Sequence, residues 1–337
     1  MDAVLIREAG GLGDVLQIGS AAAMLRQLGY NTHFYTLADP AILELANLMR
    51  GIDLVHPLRI AISQRRERGD KTYDRYQYLS APLAHALLTD ARQSWNRLYD
   101  LFCPAWLVEM AAAKQGKRPG LSRAQAFVEA CGFDPALTKP ARLLVPDRPV
   151  VLAAAEALKS NSWNFVCLWS RDPARSIPNA LGDLLVRSIA REYGPTVTFH
   201  FPEGACAVAD ARVFRYPDDV SSVKPGRTDA VGDILALMSA AKRVIAVDTF
   251  ALHVAGSLGK PTTLLCGPTF PETVAAHYAK INAWVPEAPP ECYGCYYLPD
   301  RGFSKKCRSN GCKILSEVRD KDVLRLIEGA GEACVRS

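Results

Sequence analysis

Residues 243–271 read RVIAVDTFALHVAGSLGKPTTLLCGPTFP. The apolar run Val244 to Val247 reads as a buried strand, and it stops at Asp248-Thr249, residue types that cap helices well. A short helical pattern follows with Leu252, Ala255 and Leu258 inward. Gly259-Lys260-Pro261 closes it, because Gly suits the position just past a helix end and Pro cannot continue the helix. A second buried strand, Thr262 to Cys266, then stops at Gly267-Pro268-Thr269. Strand–helix–strand implies two parallel strands with polar residues at both carboxyl ends. In open parallel sheets ligands bind at those ends, and helix N-termini there attract anions, phosphates above all.

Outward from this stretch the same alternation recurs. Asp2 to Glu8 reads as a first strand, and Gly10-Gly11-Leu12-Gly13-Asp14 turns into a helix with Val15, Ile18, Ala22 and Leu25 apolar. Asn31 to Leu37 and Asp53 to Pro57 are strands flanking a helix from Pro40 to Met49. Ala91 to Leu101, Pro104 to Lys114 and Arg123 to Cys131 read as helices, and Tyr73 to Leu79 as a weak strand. The proline-rich Pro140 to Pro149 marks the approach to a domain boundary, with domains at 1–150 and 151–337. Beyond it a second series begins. Phe165 to Trp169 is a strand followed by the polar loop Ser170 to Pro178. Leu181 to Tyr193, Ala230 to Ala241 and Lys321 to Glu328 are helices, and Thr196 to Phe201 and Arg212 to Tyr216 strands. Strands alternating with helices specify an α/β fold with parallel strands and crossover helices.

The glycine loop is not a good dinucleotide fingerprint, since Leu16 stands where the third glycine belongs. It also lacks the Gly-Lys-Ser/Thr ending of a P-loop. What it offers is Gly13 in a tight turn and a carboxylate, Asp14, at a helix start. Asp14 reads either as a helix N-cap or as a base at the mouth of a cleft, kept ionised by the helix dipole. His253 reads either as a core histidine or as a ligand-facing group on the helix face of Asp248.

With 337 residues, 49% hydrophobic and 22% charged, the composition is that of an ordinary globular protein of about two domains. The net charge of +5 does not point to nucleic acid. Arg59, Arg65, Arg66, Arg68, Lys71 and Arg75 fall within 17 residues, either a solvated loop or a cradle for an acidic acceptor. No stretch approaches the roughly 18 apolar residues of a membrane span, and the N-terminus lacks a signal-peptide pattern. The expectation is a cytoplasmic protein, with peripheral membrane contact left open.

Of the 10 cysteines, Cys103, Cys131, Cys167, Cys206, Cys266 and Cys334 are scattered and read as buried reduced thiols. Cys292, Cys295, Cys307 and Cys312 form a C-x2-C-x11-C-x4-C pattern. Two residues between thiols let one turn present both sulfurs to a metal, and four thiolates can complete a tetrahedral zinc or iron site. Free or redox-labile thiols are the other reading. No residue there supplies an open coordination position, so a catalytic metal is not expected.

Taken together, these pieces resemble the bacterial heptosyltransferases, glycosyltransferase family 9. The resemblance rests on Gly13-Asp14 before Val15-Leu16, and on Asp248-Thr249-x-x-x-His253 running into Leu258-Gly259-Lys260-Pro261 and Gly267-Pro268-Thr269. It does not extend to residues 60–160. It implies a GT-B fold, two Rossmann-like domains facing a central cleft, with the acceptor on the first domain and a nucleotide sugar, usually ADP-heptose, on the second. It implies inverting sugar transfer with Asp14 as general base. Gly13, Ser170, Asp248, Thr249, His253, Gly267, Pro268 and Thr269 would line the donor, and Arg175 would stand for the family's phosphate-binding lysine. Phe250 departs from the family's glycine after Asp-Thr. The cysteines are similar to the iron-binding finger of autotransporter heptosyltransferases. Acceptors consistent with this are a glycan, a lipopolysaccharide core or a protein hydroxyl. The other readings are a non-catalytic nucleotide-sugar-binding protein that keeps the fold, and a sugar-nucleotide epimerase, which the cysteine stretch disfavours.

Overall fold

The computed structural model describes residues 1–7, 11–58, 96–101, 104–115, 117–170, 173–199, 211–215, 218–223, 231–287, 290–297 and 312–333. The expected strand at 73–79, the basic run from Arg59 to Arg75, and Cys103, Cys206, Cys307 and Cys334 lie outside these residues. The chain forms two compact units. One comprises Met1–Val108 and Arg123–Leu144, the other Glu109–Ser122 and Val145–Ser337. The sequence division at 150/151 would cut into a helix that belongs wholly to the second unit.

In the first unit, β1 (Asp2–Arg7), α1 (Leu12–Gln27), β2 (Asn31–Leu37), α2 (Pro40–Leu48), β3 (Met49–Arg50), β4 (Leu54–Leu58) and β5 (Arg97–Asp100) follow in order. Its sheet runs β4-β2-β1-β5, all parallel. Ala3, Val4, Leu5 and Ile6 are buried on both faces, as a central parallel strand requires. Asp39 caps α2 with its carboxylate on the backbone N–H groups of Ala41 and Ile42, which explains the sharp helix start before Pro40. The helix expected over 91–101 is corrected: Arg97–Asp100 is an edge strand paired with Ala3–Ile6. Then come α3 (Pro104–Lys114), α4 (Arg123–Ala130) and the short β6 (Arg142–Leu143), which pairs antiparallel with β3.

The second unit holds α5 (Pro149–Leu158), β7 (Trp163–Cys167), α6 (Asn179–Tyr193), β8 (Thr196–Phe199), β9 (Ala211–Arg215), β10 (Asp218–Val223), α7 (Val231–Ala240), β11 (Ala241–Val247), α8 (Phe250–Ser257), β12 (Thr262–Leu265), α9 (Pro271–Val274), β13 (Ile281–Trp284), α10 (Lys313–Ser316) and α11 (Asp320–Ala333). The sheet order is β10-β9-β8-β7-β11-β12-β13. From β8 to β13 the strands are parallel, while β9 and β10 add an antiparallel edge.

On one face Ile245, Val247 and Leu265 pack with Leu185, Val186 and Ile189 of α6 and Val323 and Ile327 of α11. Burial of each such side chain stabilises the fold by about 1.5–3 kcal/mol. By strand alternation Trp163 points to the other face, where its indole N–H donates to the Leu237 carbonyl of α7 at 3.1 Å. Gly259 ends α8 with φ +64°, the left-handed conformation that favours glycine. The Lys260 ammonium then donates to the carbonyls of Ser239 and Ala241 at the end of α7. The expected strand–helix–strand over 243–271 is thus present, with register Val244↔Thr262 through Val247↔Leu265.

Candidate active site

Three adjacent parallel strands, β7, β11 and β12, end on the same edge of the second sheet. Each delivers a polar loop there. After β7 the chain is closed on itself: Ser170 N donates to Ser176 Oγ at 2.8 Å, Ser176 Oγ donates back to the Ser170 carbonyl, and Ile177 N reaches the Leu168 carbonyl. This compact loop holds Arg175 toward β11, where its guanidinium lies 3.4 Å from Asp248 Oδ2. Both carboxylate and guanidinium are largely withdrawn from water, at 8% and 27% side-chain exposure.

After β11, Asp248 is followed by Thr249, the N-cap of α8. The expected side-chain cap is corrected here, because the Thr249 hydroxyl makes no capping bond. The N-cap side chain thus does not occupy the N–H groups of the first turn of α8, and free N–H groups at a helix start attract anions. His253, one turn on, presents Nε2 to Asp248 Oδ1 at 3.9 Å and Nδ1 to the Tyr278 hydroxyl at 3.2 Å. Burial raises the tyrosine's pKa far above its ordinary value, so it stays a neutral O–H. The geometry favours an imidazole with its proton on Nε2, toward the carboxylate, and Nδ1 accepting from Tyr278. Phe250 is buried at the first position of α8.

After β12 the Gly267-Pro268-Thr269 loop meets the cysteine stretch. Gly294 N donates to the Gly267 carbonyl and Tyr296 N to the Pro268 carbonyl. A Cβ on Gly267 would press within 2.8 Å of Leu315 and 2.9 Å of the Cys312 sulfur. Gly267 therefore has a packing role in this unit, and both Cys312 and the Cys292–Cys295 turn are seated on its loop. Phe270 stacks on Tyr297, meets Tyr293 edge-on and carries the Arg118 guanidinium 4.5 Å above its ring. Cys295 and Cys312 are buried and Cys292 half-buried. Among the described residues no three metal-binding side chains converge; Cys307 lies outside them.

In the first unit, Gly13 and Asp14 lie in the first turn of α1. Asp14 is not the N-cap. Gly11 is, and the Asp14 carboxylate reaches back to the Gly11 N–H at 3.3 Å, the reciprocal half of a capping box. It also accepts from Arg123 at the start of α4 at 2.8 Å and stands 3.6 Å from Arg7 at the end of β1. Burial opposes the charge, yet Arg123, Arg7 and the Gly11 N–H outweigh it and hold this carboxyl far below the ordinary carboxylate range. Asp14 is thus a firmly ionised, doubly paired carboxylate.

The structure sets Asp248 between Arg175 at 3.4 Å and His253 at 3.9 Å, with Thr249 next in the chain, and Ser170 closing the loop that bears Arg175. Sequence reading did not find Arg7, Arg123, His277 or Tyr278. Arg7 and Arg123 join Asp14 from a distant strand end and a distant helix start, so no local spacing announces them. Tyr278 sits in an irregular segment without periodicity.

No family model and no curated protein matches the sequence. Solved structures do. Escherichia coli ADP-heptose lipopolysaccharide heptosyltransferase II is 13% identical with a TM-score of 0.61, covering 98% of each chain. A family 9 glycosyltransferase from Veillonella parvula is 14% identical at TM-score 0.62, covering 98% of this chain and 97% of that one. TibC, an iron-containing dodecameric glycosyltransferase of enterotoxigenic Escherichia coli, is 12% identical at TM-score 0.60, covering 99% of this chain and 77% of that one. The chain has a GT-B-type fold. Within that GT-B-type α/β fold, the Arg175–Asp248–His253 array stands at the carboxyl ends of the parallel strands in one Rossmann-like unit, and Asp14 at the first strand–helix turn of the other. No helix among the described residues is long and apolar enough to cross a membrane.

Proposed function

We propose that the chain is an inverting glycosyltransferase that moves a sugar from a nucleotide sugar, ADP-heptose first among candidates, to a hydroxyl of a glycan, lipopolysaccharide core or protein. One observation carries this: Arg175, Asp248 and His253 meet at the carboxyl ends of β7 and β11, beside a helix start whose first turn lacks a side-chain cap. A guanidinium and a helix N-terminus are the groups that bind a diphosphate. The structures of relatives add support, since TibC and the E. coli heptosyltransferase WaaC were solved with ADP-heptose and ADP respectively. In this reading Arg175 and the α8 N-terminus neutralise the leaving diphosphate, and Thr249, Ser170 and the Gly267-Pro268-Thr269 loop frame the donor.

Asp14 accepts the proton of the attacking hydroxyl. While paired with Arg123 and Arg7 it is a weak base, so its basicity rises only when the acceptor takes one of these partners away. Cys292, Cys295, Cys307 and Cys312 hold a structural iron or zinc in this proposal. Its support is that Cys312 and the Cys292–Cys295 turn dock on one loop, and metal analysis of the purified protein tests it. The second reading, nucleotide-sugar binding without transfer, is favoured by the double pairing of Asp14 and by Phe250 inside the donor motif. Donor turnover with wild type and Asp14→Ala separates the two. The proposal expects wild-type turnover of an ADP-sugar and a loss of about 10²-fold or more in Asp14→Ala; equal inactivity of both across ADP-, UDP- and GDP-sugars contradicts it.

A further inference from the structure

The series Arg175–Asp248–His253 does not end at the imidazole. Behind it stands Tyr278, in the segment between β12 and β13, with its hydroxyl 3.2 Å from His253 Nδ1. Polar groups therefore follow one another from the loop after β7 into the core. The Arg175 guanidinium faces Asp248 Oδ2 at 3.4 Å, Asp248 Oδ1 faces His253 Nε2 at 3.9 Å, and His253 Nδ1 meets Tyr278. Asp248, His253 and Tyr278 are all buried.

Packing asks for the ring of Tyr278 but not for its hydroxyl. α8 carries Gly256 where a Cβ would collide with that ring, and glycine within a helix is less favourable than alanine. The His277 ring lies 3.9 Å from it. Burial, and then the nearness of His253, push the His277 pKa down to about 3, so it packs there as a neutral ring. A phenylalanine would fill the same space without a polar atom. A buried hydroxyl is unfavourable unless it is hydrogen-bonded, and this one meets an imidazole nitrogen of the candidate site. Burial keeps it a neutral O–H. By donating to Nδ1 it leaves the imidazole proton on Nε2, facing the carboxylate. In the opposite tautomer a lone pair would face Asp248 and repel it. A ring turned over about its Cβ–Cγ bond would present carbon instead.

We propose that Tyr278 is a positioning residue of the donor site: its hydroxyl fixes the orientation and tautomer of His253 and, through Asp248, the place at which Arg175 is held. The inference rests on the donor-site reading above and deepens it. Tyr278 itself touches no ligand. Asp248 is a carboxylate oriented from both sides, by a guanidinium and by an imidazole N–H, before a donor arrives. Such pre-organisation lowers the cost of binding.

The test compares wild type, Tyr278→Phe, His253→Ala and the double variant by calorimetric titration of ADP-heptose, together with heteronuclear NMR of the imidazole nitrogens. The chain has 6 histidines, and the signal missing from His253→Ala identifies His253. In wild type His253 shows a protonated Nε2 and an unprotonated, hydrogen-bonded Nδ1. In Tyr278→Phe the Nδ1 resonance moves as that hydrogen bond is lost. ADP-heptose then binds about fivefold more weakly, the share of one neutral hydrogen bond. In the His253→Ala background Tyr278→Phe adds no further loss, because the hydroxyl has nothing left to hold. An unchanged His253 spectrum or an unchanged affinity in Tyr278→Phe overturns the proposal. So does an equal loss with and without His253, which would mark the hydroxyl as acting by packing alone. Absence of binding by wild type overturns the donor-site reading, while the spectra still decide whether Tyr278 fixes His253, so the two failures are distinguishable.

Discussion

Gly256→Ala is the substitution through which packing in the second unit and the geometry of its site are most closely joined. A Cβ at this position would stand 2.6 Å from Tyr278 Cε1 and nearer still to Cγ and Cδ1. The ring is rigid and buried, so it must retreat by roughly 1.2 Å from its nearest atoms at 2.3 Å to restore an ordinary carbon–carbon contact near 3.5 Å. Overpacking of this kind costs about 1–3 kcal/mol. The retreat also breaks the 3.2 Å contact between Tyr278 and His253, worth about 1 kcal/mol. Against this, alanine in a helix interior gains about 1 kcal/mol over glycine. The net expectation is a loss near 2 kcal/mol, or roughly 4–8 °C in the melting temperature of a unit of this size. Gly120→Ala, where an added Cβ meets nothing within 4 Å, serves as the control and stays within about 0.5 kcal/mol of wild type. In a Tyr278→Ala background the collision is gone, and adding Gly256→Ala becomes neutral or stabilising. Differential scanning calorimetry of the four proteins reads this coupling. A Gly256→Ala variant as stable as Gly120→Ala, or equally harmful with and without Tyr278, would refute the reasoning.

Other expectations follow from the same contacts. Arg123→Ala removes the closer of two cationic partners of Asp14, so the carboxyl titrates higher. Because a depressed carboxylate stabilises the fold above its unfolded pKa of about 3.9 and loses that contribution as pH falls through the folded value, acid unfolding of Arg123→Ala begins at a higher pH than in wild type. Acid titration followed by circular dichroism shows it, and coincident curves contradict the pairing. The Cys131 and Cys167 thiols are pushed up to about 12 by burial. At pH 8 both resist iodoacetamide in the native protein and react on unfolding, as mass spectrometry of the labelled peptides will show. Trp163→Ala removes a fully buried indole and its bond to Leu237, with an expected loss of about 3–5 kcal/mol by denaturant unfolding.

The parts of the fold that the sequence made legible are those where burial is strongest. Val244–Val247 is apolar throughout because parallel strands are covered on both faces, and Gly259 and Lys260-Pro261 mark its helix end. Edge strands carry no such mark. Arg97–Asp100 is four residues long with polar ends, and it gains its strand character from pairing with β1, so it reads as part of a helix. Ile281–Trp284 is half-buried along its length and shows no alternation. The site divides in the same way. Asp248, Thr249 and His253 follow a strand in one motif and could be named together, as could Arg175 in its polar loop. The state of Asp14 could not, since it is set by Arg7 and by Arg123, 109 residues away. Tyr278 and His277 become visible only when the irregular turn after β12 folds back on α8.

The central claim, a nucleotide-sugar site at the carboxyl ends of β7, β11 and β12, is tested most directly by calorimetric titration of ADP-heptose into wild type, Arg175→Ala and Asp248→Ala. The account predicts saturable one-to-one binding to wild type, weakened about tenfold or more in each variant. No binding by wild type to ADP-heptose or to other ADP-, UDP- or GDP-sugars at millimolar concentration, or binding that both substitutions leave unchanged, would contradict it.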